Sequence, residues 1–416
     1  MIGETVEEVQ RKIGSGKARV FTASEFKRRL RDDPGFDGRE ADVITCGTFG
    51  IMSGTMAVFT IPVAGVGDFK RADSITLNGV PGFVGPCPNE SLGLVDCVVY
   101  GTSKRDRSYG GGHLFRDMVA GEGIEIVVTS EDKVFKVTRT LSEIPFARMI
   151  LTRGAFKNYT CFVNASEADW ETIFSGPRPL GADLSEASVS GCGEINPLQN
   201  DPEQRYLRSG ATAVLNGAPA MILGNGTRSS PQKPNLSIEA DMHLMRPELM
   251  GGFRTSEGPE CLVSVATAIP VTSEEVLKEV SVHDEDVPLP LADVRDRIPV
   301  HKGAYASVWK GTDLRVSSDR GKCIHCDICT ADSSCPVEAH PSSGMDADRC
   351  MSCGLCTSTC PGGVFTAELG SILFGDDLVP ISIRQSSRDK AEGICAELKE
   401  AIEKGDWNLR DVNGKI

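Results

Sequence analysis

Cys323-Ile-His-Cys326-Asp-Ile-Cys329-Thr-Ala-Asp-Ser-Ser-Cys335-Pro336 and, further on, Cys350-Met-Ser-Cys353-Gly-Leu-Cys356-Thr-Ser-Thr-Cys360-Pro361 are two versions of one pattern. In each, three cysteines fall at i, i+3 and i+6, and a fourth stands before proline. Thiols at that spacing wrap a tight loop round one face of a cubane, while the proline-flanked fourth points away and ligates the neighbouring cluster. The pattern therefore predicts two [4Fe–4S] clusters. Cys323, Cys326, Cys329 and Cys360 would hold one; Cys350, Cys353, Cys356 and Cys335 would hold the other. Zinc is the weaker reading, because zinc sites present paired knuckles with four ligands to one ion. Disulfides would demand an oxidising compartment. The first run carries five residues rather than three before its last cysteine, which lengthens a loop without removing a ligand.

The chain around these runs has 416 residues, 40% apolar and 25% charged, the profile of a globular protein with about two or three domains. No stretch approaches the length of a membrane span. The acidic, amphipathic start, MIGETVEEVQRKIG, lacks the basic and apolar regions of a signal peptide. A cytoplasmic location is expected, where cysteines serve metals or chemistry. Net charge is −14, from 44 basic and 58 acidic residues, which argues against a nucleic-acid partner. An anionic ligand would need locally placed arginines or helix N-termini against that field.

Along the chain, Thr22-Ala-Ser-Glu25 predicts a capped helix over 25–31, and residues 41–45 a short strand ending at Cys46-Gly47. Tyr109-Gly-Gly-Gly-His113 opens a helix, and glycine-rich loops recur at 190–197 and 224–227. Residues 281–300, acidic and punctuated by prolines, read as a border. Strands and helices mix without a βαβ rhythm, so the main body, 1–316, is expected to be α+β, a mixed α/β fold. A bacterial-type two-cluster ferredoxin module would occupy 317–361. The tail, 362–416, holds a strand and an amphipathic helix with the stripe Ala391, Ile394, Cys395, Leu398 and Ile402. Too short to bury its own core, the tail is expected to return to the body, making the module an insertion.

Outside the two runs, Cys192, Cys46 and Cys87 stand in glycine- or proline-bounded turns, where exposed N–H groups favour a thiolate. The bland alternative for each is a small core residue. Cys97 and Cys395 sit in apolar settings and read as structural. His113 is the histidine with a promising setting, a candidate general acid, with helix capping as the alternative. Asn78, Asn196, Asn200 and Asp201 are candidate orienting groups or plain turn formers. Arg139, Arg205 and Arg228 are candidate anion anchors.

GKARVFTASEFKR (16–28), VITCGTFGIMSGT (43–55), LNGVPGFVG (77–85), YGGGHLFRDMVAG (109–121), GEINPLQNDP (193–202) and RQSSRDKAEGICAELKEAIEKG (384–405) together resemble the archaeal homocysteine-biosynthesis sulfurtransferase domain. Its fusion to a two-cluster ferredoxin resembles the methanogenesis marker protein 16 branch. The resemblance implies conversion of an aldehyde to a thiol, with a cysteine persulfide as carrier. Where that cysteine is expected, the chain reads Ser130-Glu-Asp-Lys-Val-Phe135, and Ser53 stands at a second cysteine position. Implied substrates are sulfoacetaldehyde, giving coenzyme M, or aspartate semialdehyde, giving homocysteine. A non-enzymatic electron-transfer or maturation role is the competing reading. Expected partners are a small anionic aldehyde, a sulfide or persulfide donor and an upstream electron donor. A homo-oligomer is compatible with all of this, and neither nucleic acid nor membrane is expected.

Overall fold

The strand Val43–Ile51 pairs antiparallel with Pro259–Pro270 along its whole length, from Val43 opposite Pro270 to Ile51 opposite Leu262. Both strands are buried on both faces, and accordingly read as near-continuous runs of small and apolar residues. They anchor one end of a fourteen-stranded sheet in the computed structural model, which describes residues 3–85, 90–131, 133–157, 159–309 and 314–410. Toward the other end, Thr55–Pro62 and Leu94–Tyr100 alternate buried and half-buried positions, as one-sided strands do. The sheet finishes in the hairpin Ile124–Ser130 and Lys133–Arg139. Eight α-helices accompany the strands among the described residues, so the architecture is mixed α/β.

The strand expected to stop at Cys46 runs on to Ile51. Its glycines serve close packing rather than a turn. A methyl group built at Gly47 would lie 2.6 Å from Cys395 Sγ and 2.9 Å from the Ala391 carbonyl, and one at Gly50 would lie 2.9 Å from the Gln385 carbonyl. Glycine at both positions lets the C-terminal segment lie directly on this strand. That segment includes the helix Arg388–Glu403, whose stripe Ala391, Ile394, Cys395, Leu398 and Ile402 is buried. At the N-terminal side, Thr5 with Glu8 and Thr22 with Glu25 form reciprocal capping boxes for Val6–Gly14 and Ala23–Asp32.

Residues expected to form a border at 281–300 instead supply Pro288–Asp293, a strand of a second sheet. Its six strands run in the order Pro299–Ala304, Pro288–Asp293, Cys161–Val163, Ala187–Val189, Asp377–Arg384 and Ser371–Phe374. The sheet thus joins the middle of the chain to residues beyond the cysteine-rich segment. That segment is closed at its base by a two-residue antiparallel ladder, Ser317 opposite Thr366 and Ser318 opposite Phe365. No helix among the described residues is long and apolar enough to cross a membrane.

Candidate functional site

The eight cysteines of the two runs line two cavities, and their grouping crosses between the runs. Cys323, Cys326, Cys329 and Cys360 face the first; Cys335, Cys350, Cys353 and Cys356 face the second. Two short helices, Thr330–Ser334 and Leu355–Thr359, follow the loops and are tied by the Thr330 hydroxyl donating to the Thr359 carbonyl at 2.7 Å. His325 and Ser352, at φ 52° and 53°, take the left-handed conformation that bends each loop round its cavity. Backbone N–H groups of Ala339 and Ser352 donate to Cys335 Sγ and Cys350 Sγ at 3.3 and 3.4 Å.

The two sets differ in their surroundings. The outer one is open: Cys326 is exposed, and Ile324 and Ile328 beside it are 62% and 75% exposed. The inner one joins the main hydrophobic core through Val337, Ala339, Met351, Cys353 and Leu355. Burial and the neighbouring Cys350 and Cys335 thiols push Cys356 up to about 12, and burial pushes Cys353 well above the ordinary thiol range. Four facing thiols in a low dielectric ionise only against a compensating positive centre. Two sets of four thiols, each round its own cavity, would suit a polynuclear cluster, in which each cysteine takes its own iron.

Beside the inner set lies a cleft of about 130 Å³ between the body and the cysteine-rich segment. Drug-sized sites occupy roughly 300–1,000 Å³, so this one admits a small metabolite rather than a nucleotide. The body contributes Tyr109, His113, Arg116 and Asp117; the segment contributes Val337, Glu338, Asp348 and Arg349, which flank Cys335 and Cys350. Arg254 staples the two halves, its backbone N–H donating to the Pro336 carbonyl at 2.8 Å and its guanidinium to the Cys335 carbonyl. Lys390, on the C-terminal helix, donates to the carbonyls of Glu248 and Asp348, both at 2.8 Å.

The Gly-Gly-Gly-His run builds the cleft's wall. A methyl group at Gly111 would lie 2.2 Å from the Tyr100 carbonyl and one at Gly112 2.6 Å from the Gly251 carbonyl, so only glycine lets the helix Gly111–Val119 sit this close to the sheet. His113 is 6% exposed and stacks on Tyr109 at 5.5 Å between ring centroids. Its Nδ1 accepts the Gly110 N–H at 3.3 Å, which leaves the proton of the neutral ring on Nε2. That Nε2 is buried with no hydrogen-bond partner. Burial, then the charges of Arg254 and Arg349, lower the ring's pKa to about 4. Near neutral pH His113 is therefore a fixed N–H donor, not the imidazolium that a general acid of ordinary histidine pKa would provide. Capping geometry and a cleft-facing donor coexist in one side chain.

Cys46 and Cys192 are fully buried and do not line the cleft. Cys192 Sγ contacts Thr48 Oγ1 at 3.7 Å and the Phe49 and Ser387 carbonyls at 3.8 and 3.9 Å. Burial raises its pKa, and raises that of Cys46 to about 12 against the opposing charge of Lys27. Cys87 lies outside the described residues. Cys97, Cys161, Cys261 and Cys395 are buried in the core. Asn196 caps the turn Pro197–Asn200, Asn200 bonds the Glu194 and Asn196 carbonyls, and Asp201 accepts the N–H groups of Arg205, Tyr206 and Leu207, all structural roles. Asn78 donates to the Tyr109 hydroxyl, which itself donates to Asp117. Arg139, Arg205 and Arg228 line none of these cavities, and Arg205 is paired with Glu279 at 2.8 Å. The cleft's arginines, Arg116 and Arg349, went unnoticed in the sequence. Only the three-residue step from His113 to Arg116 on one helical face pointed to the first.

The class of protein is given by its relatives. Over 339 and 335 residues the chain is 28% and 26% identical to proteins of Methanocaldococcus jannaschii and Methanosarcina acetivorans, each described as an L-aspartate semialdehyde sulfurtransferase. These matches take in 75% of this chain and 63% and 64% of the relatives. A sulfur-incorporating biosynthetic enzyme is the class they define. The chain belongs to the family described as homocysteine biosynthesis enzyme, sulfur-incorporation, whose model matches residues 18–409. More similar are two proteins described as uncharacterized. One, from Methanothermobacter thermautotrophicus, is 46% identical over 97% of this chain and 94% of its own. The other, from M. jannaschii, is 41% identical over 94% of this chain and 99% of its own. No solved structure matches.

Proposed function

We propose that the protein incorporates sulfur reductively into a small anionic aldehyde in the cleft between His113 and the segment bearing Cys335 and Cys350, with sulfoacetaldehyde as substrate and coenzyme M as product. Overall, one aldehyde and one hydrogen sulfide take up two electrons and two protons, giving one thiol and one water. The carbonyl C–O bond breaks, a C–S bond forms, and the aldehyde carbon is reduced. Two [4Fe–4S] clusters, held by the two crossed cysteine sets, supply the electrons when bound. The single observation that carries this reading is a buried, unpartnered N–H donor on His113, in a cleft also lined by Val337, Glu338 and Arg349, sequence neighbours of the inner cysteines Cys335 and Cys350. His113 Nε2–H donates to the aldehyde oxygen and polarises the carbonyl toward attack by sulfur. Arg116 and Arg349 hold the anionic end. Because Cys46 and Cys192 are sealed in the core, the nucleophile enters as sulfide, for which the two-electron balance holds; a donor's persulfide would take two more electrons and two more protons and release the donor's thiol.

The choice of aldehyde is supported by M. jannaschii, which holds both a 41% identical relative and a separate, 28% identical aspartate semialdehyde sulfurtransferase. Two chains so different in one organism suit two substrates. One observation favours the second reading, aspartate semialdehyde to homocysteine. The Asp348 carboxylate lines the cleft and is in no ion pair among the described residues, although Lys390 donates to the same residue's carbonyl; a carboxylate there would meet the ammonium of an amino-acid substrate. Anaerobic incubation of reconstituted protein with each aldehyde, sulfide and a low-potential reductant, followed by thiol detection, decides between them. Coenzyme M from sulfoacetaldehyde is the expected product; no thiol from either aldehyde would end the proposal.

A further inference from the structure

We infer that Arg116 and Arg349 form a two-armed seat for the substrate's anionic head, shared between the body and the cysteine-rich segment, so that ligand binding itself joins the two. The inference rests on the cleft being the substrate site.

Arg116 lies one helical turn beyond His113, half-buried, with its Nε enclosed and without a hydrogen-bond partner. Burial and then the charge of Arg349 lower its pKa, with Asp117, Asp346 and Asp348 acting against them. A methyl group built at Gly252 would lie 2.0 Å from His113 Nδ1, so glycine there makes room for the ring, while Arg116 Cδ passes Gly251 at an ordinary contact distance. Arg349 reaches the same cleft from the opposite side, next in sequence to Cys350, with its own partner Asp346 at 3.5 Å.

Carboxylates also line the cleft, and most are already engaged. Asp117 accepts the Tyr109 hydroxyl at 2.7 Å, Glu248 lies 3.4 Å from Arg246, and Glu338 lies 3.9 Å from Arg254. What is left over is the Asp348 carboxylate, which is in no ion pair among the described residues, and two donors awaiting acceptors, the Nε of Arg116 and the Nε2–H of His113. A carboxylate or sulfonate on Arg116 and Arg349, with a carbonyl oxygen on His113, supplies both. Arginine suits the task because its planar fork binds such groups in two-point fashion.

The test is direct binding by calorimetry to the reconstituted full-length protein, with two unreactive probes: ethanesulfonate, and L-2-aminobutyrate, which adds an ammonium. At least one probe is expected to bind, and Arg116→Met and Arg349→Met are each expected to weaken it by about tenfold to a hundredfold, the worth of a charge-assisted hydrogen bond. Arg116→Lys, which keeps the charge and loses the fork, falls between, and guards against a poorly folded Arg116→Met. Preference for ethanesulfonate identifies a sulfonate head; preference for aminobutyrate identifies an amino acid. Binding of neither probe, or equal binding by wild type and both arginine variants, overturns the seat. Arginine-dependent binding without thiol formation from any aldehyde would leave the seat standing and remove only the proposed reaction.

Discussion

The outer and inner cysteine sets are spelled with nearly the same letters, yet the protein treats them differently. Three of the outer four, Cys323, Cys329 and Cys360, pack on a satellite of Ala331, Val364 and Phe365, while Cys326 opens to solvent beside two exposed isoleucines. Of the inner four, Cys335, Cys350 and Cys353 join the main core, and their sequence neighbours Val337, Glu338 and Arg349 line the cleft. A loop of i, i+3, i+6 thiols is a local object that needs little from the rest of the chain. What it can be used for depends on what it is pressed against. On the proposed function, the outer set is where an electron donor reaches the protein, and the inner set is where electrons leave for the substrate.

The comparison can be broken most sharply by removing one ligand from each set. Cys326→Ser and Cys353→Ser are each expected to lower bound iron by about half and to end thiol formation, since a cluster needs its full ligand set. Only Cys353→Ser, which places a hydroxyl in the core at 8% exposure, is expected to cost a further amount of about 1–3 kcal/mol in stability. Iron analysis and thermal melts of both variants decide it; equal melting temperatures would erase the distinction between the sets.

A smaller effect tests the cleft wall on the inner side. Gly252→Ala puts a methyl group into the His113 ring and is expected to reduce kcat/KM by about a hundredfold, the usual cost of displacing one donor aimed at a developing charge. Iron content stays unchanged, so the loss cannot be assigned to the clusters. An unaltered rate would show that His113 takes no part.

Arg254→Met removes the guanidinium arm of the staple between the body and the inner set and leaves its backbone bond to Pro336. The expected cost is about 1–3 kcal/mol, read as a lower melting temperature and faster protease cleavage within 330–350.

Acidity gives the smallest effect. His113 has a folded pKa of about 4, below its ordinary value of 6.5, so the unfolded chain binds more protons between those limits. Its contribution to stability is whole above pH 6.5 and falls away as pH drops toward 4, by about 1–3 kcal/mol across the window. His113→Phe should flatten that part of the stability–pH curve. A variant with the wild-type slope would assign the dependence to another group.

Much of this was legible before the fold was known, for reasons that differ by element. The cysteine runs and the Ala391–Ile402 stripe were readable because both are periodic over short stretches, and the capping box at Thr22 is a local event between Thr22 and Glu25; the similar box at Thr5 emerged only with the fold. The strand through Cys46 was cut short because Gly47 and Gly50 look like turn glycines; their purpose is the C-terminal segment lying on top, more than 300 residues away in sequence. Pro288 and Pro290 looked like a border, yet they lie within a strand of the second sheet, between Cys161–Val163 and Pro299–Ala304. The cleft was the hardest to foresee. Phe49, Tyr109, Arg116, Gly252 and Arg349 meet only through tertiary packing, and no local pattern marks which arginines will line the cleft.

The narrow base of the cysteine-rich segment has a last consequence. Its two strands of entry and exit lie side by side at Ser317–Ser318 and Phe365–Thr366. A neighbouring start and finish give an evolving gene a simple splice point, since gaining or losing the intervening stretch reroutes neither sheet. A shortened chain joined there by a tight turn would keep both backbone paths while baring the apolar patch that Met351 and Leu355 now cover.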